Sequence, residues 1–155
     1  MTTTTVRDVM SKKLETIEES ASVQDAAKKL KDKEVSSLIV VDRDGKPQGL
    51  VTERDIVTKV CINDTSTRAI TTKQIMSVPL IVIDSTRTPA AAADMMLQHK
   101  VRHLLVVDDS NKNGKSNSNN NLLGIITPLD FARFEDFPND EVGKDELEMM
   151  LEYYI

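Results

Sequence analysis

Apolar residues recur along the first third of the chain with a helical period. Val23, Ala26, Ala27 and Leu30 stand at i, i+3, i+4 and i+7 behind Ser22, a residue type suited to cap a helix start. The same face returns further on: Thr88 stands at a cap position, Pro89 takes the first helical position, where its missing N–H costs nothing, and Ala92, Ala93 and Met96 follow. Between and after these helices lie short β-branched runs bounded by turn residues, Leu38 to Val41 and Leu104 to Val107, which predict strands buried on both faces. A second strand follows each, around Gln48 to Val51 and Leu122 to Ile126, and then a helix opened by Thr52 or by Thr127 and Pro128. Short extended pieces near Glu15 to Ile17 and Leu80 to Ile83 complete a β-α-β-β-α order in each half.

The halves are copies. At an offset of 66 residues, Val9-Met10-Ser11 returns as Ile75-Met76-Ser77, and the run from Leu38 to Asp42 returns as Leu104 to Asp108. The offset then becomes 75, with Gly49-Leu50-Val51-Thr52 matching Gly124-Ile125-Ile126-Thr127 and Asp55 matching Asp130. The polar insertion at 109–121, rich in Asn and Ser, accounts for the change and predicts a solvated hairpin loop. The expected organisation is a disordered start at 1–5, repeat 1 at 6–62, a polar linker at 63–72, repeat 2 at 73–135 and a tail at 136–155. In the tail, Leu147, Met150, Leu151 and Tyr154 predict an amphipathic helix. One copy of about sixty residues is marginal alone, so the two are expected to pack sheet to sheet as pseudo-twofold mates. The fold class is α/β (α+β).

Composition narrows the function. A net charge of −5 argues against electrostatic wrapping of nucleic acid. No run approaches the roughly 18 apolar residues of a membrane span, which points to the cytoplasm. Cys61 is the single cysteine, so an internal disulfide and a multi-cysteine zinc site are excluded. His99 and His103 are the two histidines and have no metal-ligand spacing. With no Ser/His/Asp or Cys/His set and no Gly-rich phosphate loop, neither catalytic residues nor an enzyme, a metal or a cofactor are expected.

Both copies carry Gly, two apolar residues, Thr, two variable residues and Asp, at Gly49–Asp55 and Gly124–Asp130. A strand feeding a helix start in this way brings a Thr hydroxyl, unpaired N–H groups and an Asp carboxylate together. The carboxylate can accept both hydroxyls of a ribose diol, and the hydroxyl and N–H groups suit phosphate oxygens. The same spacing also describes an ordinary capped helix start, in which Thr52 and Thr127 are caps and nothing more.

These motifs, with Val6-Arg7-Asp8-Val9-Met10 and the runs Val35 to Asp42 and Val101 to Asp108, resemble the CBS domain pair, or Bateman module, here as stand-alone tandem repeats over roughly residues 6 to 135. The resemblance implies a cleft between the two sheets with up to two nucleotide positions. There Asp55 and Asp130 would bind ribose, and Thr52 and Thr127 would lie by ribose or phosphate. In the family, residues at the start of the second strand face the cleft, and in its kinase-subunit members a basic pair there contacts phosphate. Arg102 and His103 stand at those positions in the second copy and Ser36 and Ser37 in the first, which suggests unequal sites, with Arg54 or Arg133 as further phosphate contacts. Arg102 as a surface charge and His103 as a satisfied strand histidine are the alternatives. Thr16, Ile17, Val82 and Ile83 would contact adenine or belong to the core.

The implied function is a regulatory sensor of AMP, ADP or ATP that signals by a conformational or oligomeric change, acting as a homodimer and on an effector protein. The alternatives are a ligand-free dimerisation or interaction module and a sensor of S-adenosylmethionine-type ligands.

Overall fold

The computed structural model describes residues 3–108, 122–134, 148–149 and 152–153. The predicted loop at 109–121 and the apolar positions of the predicted terminal helix, Leu147, Met150, Leu151 and Tyr154, lie outside the described residues. The protein is a mixed α+β chain whose described residues form two three-stranded sheets, divided into two compact units: Lys13–Leu80, and the residues up to Lys12 together with those from Ile81 onward.

In the first unit β1 (Thr16–Glu18) runs parallel to β2 (Ser37–Val41), which pairs antiparallel with β3 (Pro47–Thr52). The helix α2 (Val23–Lys33) connects β1 to β2 and α3 (Glu53–Lys59) follows β3. Of the predicted apolar face of α2, Val23, Ala26 and Leu30 are buried with Ile17, Leu38, Val40, Val51, Val60 and Ile75, and Ala27 is half-buried. Ser22 caps α2 as its residue type predicts, its hydroxyl accepting the Asp25 N–H at 3.1 Å. Ser22→Ala removes that acceptor and is expected to cost about 1 kcal/mol, measurable as a lower urea midpoint.

The second unit repeats this plan. Its strands are β4 (Val82–Asp84), β5 (Leu104–Val107) and β6 (Leu122–Ile126), with α5 (Pro89–His99) between β4 and β5 and α6 (Pro128–Arg133) after β6. Thr88 accepts from the Ala91 N–H at 3.1 Å and Pro89 opens the helix, as expected. Ala92, Ala93 and Met96 are buried with Ile83, Leu104, Val106, Ile126 and Phe131.

Each unit is completed by a short helix that precedes the other copy in sequence. Helix α1 (Val6–Val9) belongs to the second unit and α4 (Thr72–Ile75) to the first. Their free N–H groups find equivalent partners: Val6 and Arg7 donate to the carbonyls of Arg87 and Ser85 at 2.8 and 3.1 Å, while Thr72 and Lys73 donate to Ala21 and Glu19 at 2.8 and 3.1 Å. Helix starts leave such donors without partners within the helix, so the docking has a specific polar basis beside the burial of Val6, Val9 and Ile75. Thr5, which the sequence assigns to a disordered start, instead caps α1 in a reciprocal box with Asp8. The polar linker is likewise tied down, since Val23 and Gln24 at the start of α2 donate to the carbonyls of Ile70 and Thr67 at 2.9 and 3.1 Å.

After the docked helices the chain continues as an extended segment beside the sheet. Ser77 exchanges two backbone hydrogen bonds with Leu50, and Ser11 does the same with Ile125. This explains the Gly that opens each motif. A Cβ on Gly124 would meet the Ser11 carbonyl oxygen at 2.5 Å and Met10 Sδ at 2.8 Å, and one on Gly49 would meet Met76 Sδ at 2.8 Å and the Ser77 oxygen at 2.9 Å.

Candidate functional site

In the first unit the register sets Ser37 opposite Thr52. The Glu53 N–H donates to the Ser36 carbonyl at 3.2 Å. Ser36, Ser37, Thr52 and Asp55 therefore gather where β3 passes into α3, with Arg54 exposed on the first turn. Thr52 and Asp55 form a reciprocal capping box. One carboxylate oxygen, Oδ2, accepts the Thr52 N–H at 2.9 Å and lies 3.1 Å from its hydroxyl, which also faces the Asp55 N–H at 3.1 Å. The ordinary cap that the motif allowed is thus present.

The other oxygen of Asp55 is also taken. Oδ1 accepts the Ser77 hydroxyl at 2.8 Å and pairs with Lys59 Nζ at 2.9 Å. The Lys59 ammonium donates further to the Ile75 carbonyl at 2.8 Å and approaches the Ser77 hydroxyl at 3.4 Å. Asp55 is 5% exposed, a buried carboxylate whose hydrogen bonds and charge are met within its own unit.

The second unit builds the same box differently. Asp130 Oδ2 accepts the Thr127 N–H at 2.8 Å and lies 3.1 Å from its hydroxyl. Among the described residues no hydrogen-bond donor reaches Asp130 Oδ1, and the residue is only half-buried. Burial pushes its carboxyl above the ordinary value of 3.8, against the opposing pull of the two Thr127 contacts and the Arg133 charge. Arg102 and His103 directly precede β5, and Thr127 directly follows β6. With Leu104 opposite Ile126, these residues share one edge of the sheet. Arg102 and Arg133 are exposed and His103 is half-buried.

The four adenine candidates divide between faces, as the period of a strand requires. Ile17 and Ile83 turn into the two cores, while Thr16 and Val82 are exposed. The side chains of Ile17 and Ile83 thus lie in the cores, the alternative that the sequence left open beside adenine contact. An open concavity of about 300 Å³ in the second unit is lined by Thr5, Arg7, Ser85, Thr86 and Asp108, none of them a candidate site residue. Sequence reasoning passed over Lys59 and Ser77. Lys59 carried a local signal, a cation four residues after Asp55 on one helix face; Ser77 carried none. Among the described residues no helix is long and apolar enough to cross a membrane, and no group of His, Cys, Asp or Glu could hold a metal ion.

The family model for the CBS domain matches the chain twice, at residues 6–61 and 73–136. The chain belongs to the CBS domain family, as a tandem pair of its domains. Uncharacterized protein MK0525 of Methanopyrus kandleri is 31% identical over 111 residues, covering 72% of this chain and 52% of the relative. Uncharacterized protein MJ1404 of Methanocaldococcus jannaschii is 33% identical over 146 residues, covering 86% of this chain and 32% of the relative. The chain thus spans about half of the first relative and a third of the second. Among solved structures, a hexameric CBS-CP12 protein from bloom-forming cyanobacteria superposes with a TM-score of 0.75 at 28% identity, covering 96% of this chain and 83% of that one. The CBS domain protein PAE2072 from Pyrobaculum aerophilum, complexed with AMP, superposes at 0.69 and 20% identity, covering 97% and 99%, and shares the fold.

Proposed function

We propose that the chain is a regulatory module that binds an adenine nucleotide, AMP, ADP or ATP, and passes its presence on as a conformational or oligomeric change. The observation that carries this reading is the state of Asp130, a desolvated carboxylate with one oxygen spent on the Thr127 cap and the other without a donor among the described residues. A ribose diol supplies two O–H donors to such an acceptor, and hydrogen bonds to a charged group are each worth about 1.5–3 kcal/mol. Thr127, Arg102, His103 and Arg133 provide the polar and cationic surroundings that ribose and phosphate require. The AMP complex of the Pyrobaculum protein supports the ligand class. The role is regulatory rather than catalytic, exercised in the cytoplasm, with a homodimer mate and an effector protein as partners. The hexameric CBS-CP12 protein is an assembled relative.

Thermal shift and calorimetry with AMP, ADP, ATP, S-adenosylmethionine and 2′-deoxy-AMP test the reading. An adenine ribonucleotide is expected to raise Tm, with a stabilisation of about 2.7 kcal/mol at a concentration of 100 Kd. Loss of the 2′-hydroxyl is expected to weaken binding by at least about tenfold, the equivalent of one charged hydrogen bond. A response to S-adenosylmethionine alone would change the ligand. Silence from every compound would leave a ligand-free interaction module.

A further inference from the structure

We infer that, of the two motif carboxylates, only Asp130 is open to a ligand, because Lys59 fills the ligand-facing role at Asp55 from within the chain. The inference rests on the nucleotide reading above and narrows it to one ribose site per chain.

An ionised carboxylate has about four acceptor positions on its two oxygens. Asp55 has all of them engaged: the Thr52 N–H and hydroxyl on Oδ2, the Ser77 hydroxyl and the Lys59 ammonium on Oδ1. Lys59 is itself anchored by the Ile75 carbonyl, at 2.8 Å. A ribose diol arriving at Asp55 would have to replace a charged donor with neutral ones and separate the Lys59 ammonium from its counterion. Charge-assisted hydrogen bonds are roughly twice as strong as neutral ones, so that exchange is unfavourable.

Asp130 Oδ2 keeps the Thr127 N–H and hydroxyl contacts, and among the described residues no donor reaches its Oδ1. The residue four positions past it is Phe134, where the first copy has Lys59, and a phenyl ring has no N–H or O–H to donate. Phe134 packs against the apolar core of its unit. Arg133 attracts the carboxylate through its charge without a hydrogen bond to it. The two repeats therefore differ in ligand capacity through a Lys-to-Phe difference at one register position, with the Ser77 hydroxyl as the second closing contact in the first copy.

Calorimetric titration of the full chain with AMP decides the matter. The wild type is expected to bind one AMP per chain, and Asp130→Asn to weaken that binding by at least about tenfold. Lys59→Gln removes the charge and shortens the side chain, and is expected to raise the stoichiometry to two. Lys59→Gln/Asp55→Asn is expected to return it to one. A wild type that binds two AMP, or an affinity left unchanged by Asp130→Asn, overturns the inference and leaves the nucleotide reading standing. A folded Lys59→Gln protein that still binds one AMP also overturns it. If Lys59→Gln fails to fold by circular dichroism, the wild type and Asp130→Asn decide alone. No heat from AMP, ADP or ATP in the wild type overturns the nucleotide reading and the inference with it.

Discussion

Asp130→Asn is expected to weaken AMP binding by at least about tenfold, the loss of one charge-assisted hydrogen bond, while raising the thermal midpoint of the ligand-free protein at pH 7. The two effects have one cause. Burial lifts the Asp130 carboxyl above its ordinary 3.8, so the folded chain holds that proton more tightly than the unfolded chain does. The stability contributed by the neutral form is fully present below about pH 3.8, the unfolded value, and is lost as pH rises through the raised folded value. At pH 7 the ionised group works against folding. Asparagine keeps an oxygen for the Thr127 N–H and hydroxyl and carries no charge to desolvate. Its advantage over the wild type should be present at pH 7 and vanish toward pH 3. Melting curves across that range check the sign, and a midpoint at pH 7 unchanged or lowered in Asp130→Asn would contradict it. Sites that bind charged or polar ligands commonly carry this trade of stability for function.

Gly124→Ala is expected to cost about 3 kcal/mol, at the upper end of ordinary overpacking, and to lower Tm by about 10 °C for a chain of this size. The added Cβ would lie 2.5 Å from the Ser11 carbonyl oxygen. That oxygen cannot simply withdraw, because Ser11 and Ile125 exchange backbone hydrogen bonds of 2.8 and 2.9 Å beside it. Retreat would sacrifice those bonds and disturb the docking of α1, whose Val6 and Val9 are buried in the same unit. Gly49→Ala meets the end of the flexible Met76 side chain first and the Ser77 oxygen only at 2.9 Å, so a smaller loss is expected there. Thermal or urea unfolding of the two variants gives the ranking, and a larger loss at Gly49 would show that the Ser11 contact is not the decisive one.

Both predictions concern residues whose type was visible in the motif and whose roles were not equally visible. Thr52 and Thr127 were legible as helix caps, since a cap and its acid three residues on form a local pattern, and both boxes are present. The ligand reading of Asp55 and Asp130 used the same pattern and treated the two carboxylates as equivalent. They differ because of what lies against them. Lys59 was four residues away on the helix, within reach of sequence reasoning; Ser77 lies 22 residues beyond Asp55 and arrives only because an extended segment pairs with Leu50. In the same way, alternation alone could not tell which of Thr16 and Ile17, or of Val82 and Ile83, would enter a core.

The sequence by itself determined the repeat, the order of strands and helices in each copy, the buried faces of α2 and α5, and the residues that cap them. These follow from short-range periodicity and from hydrogen bonds spanning three or four residues, which any window of the chain contains. Only the tertiary structure decided that the helix preceding each copy completes the unit of the other, that the motif glycines make room for a passing backbone, and that both oxygens of Asp55 are engaged while, among the described residues, Oδ1 of Asp130 meets no donor. Each of those depends on partners brought together from distant parts of the chain, where burial and the need to satisfy every buried polar group select the contact.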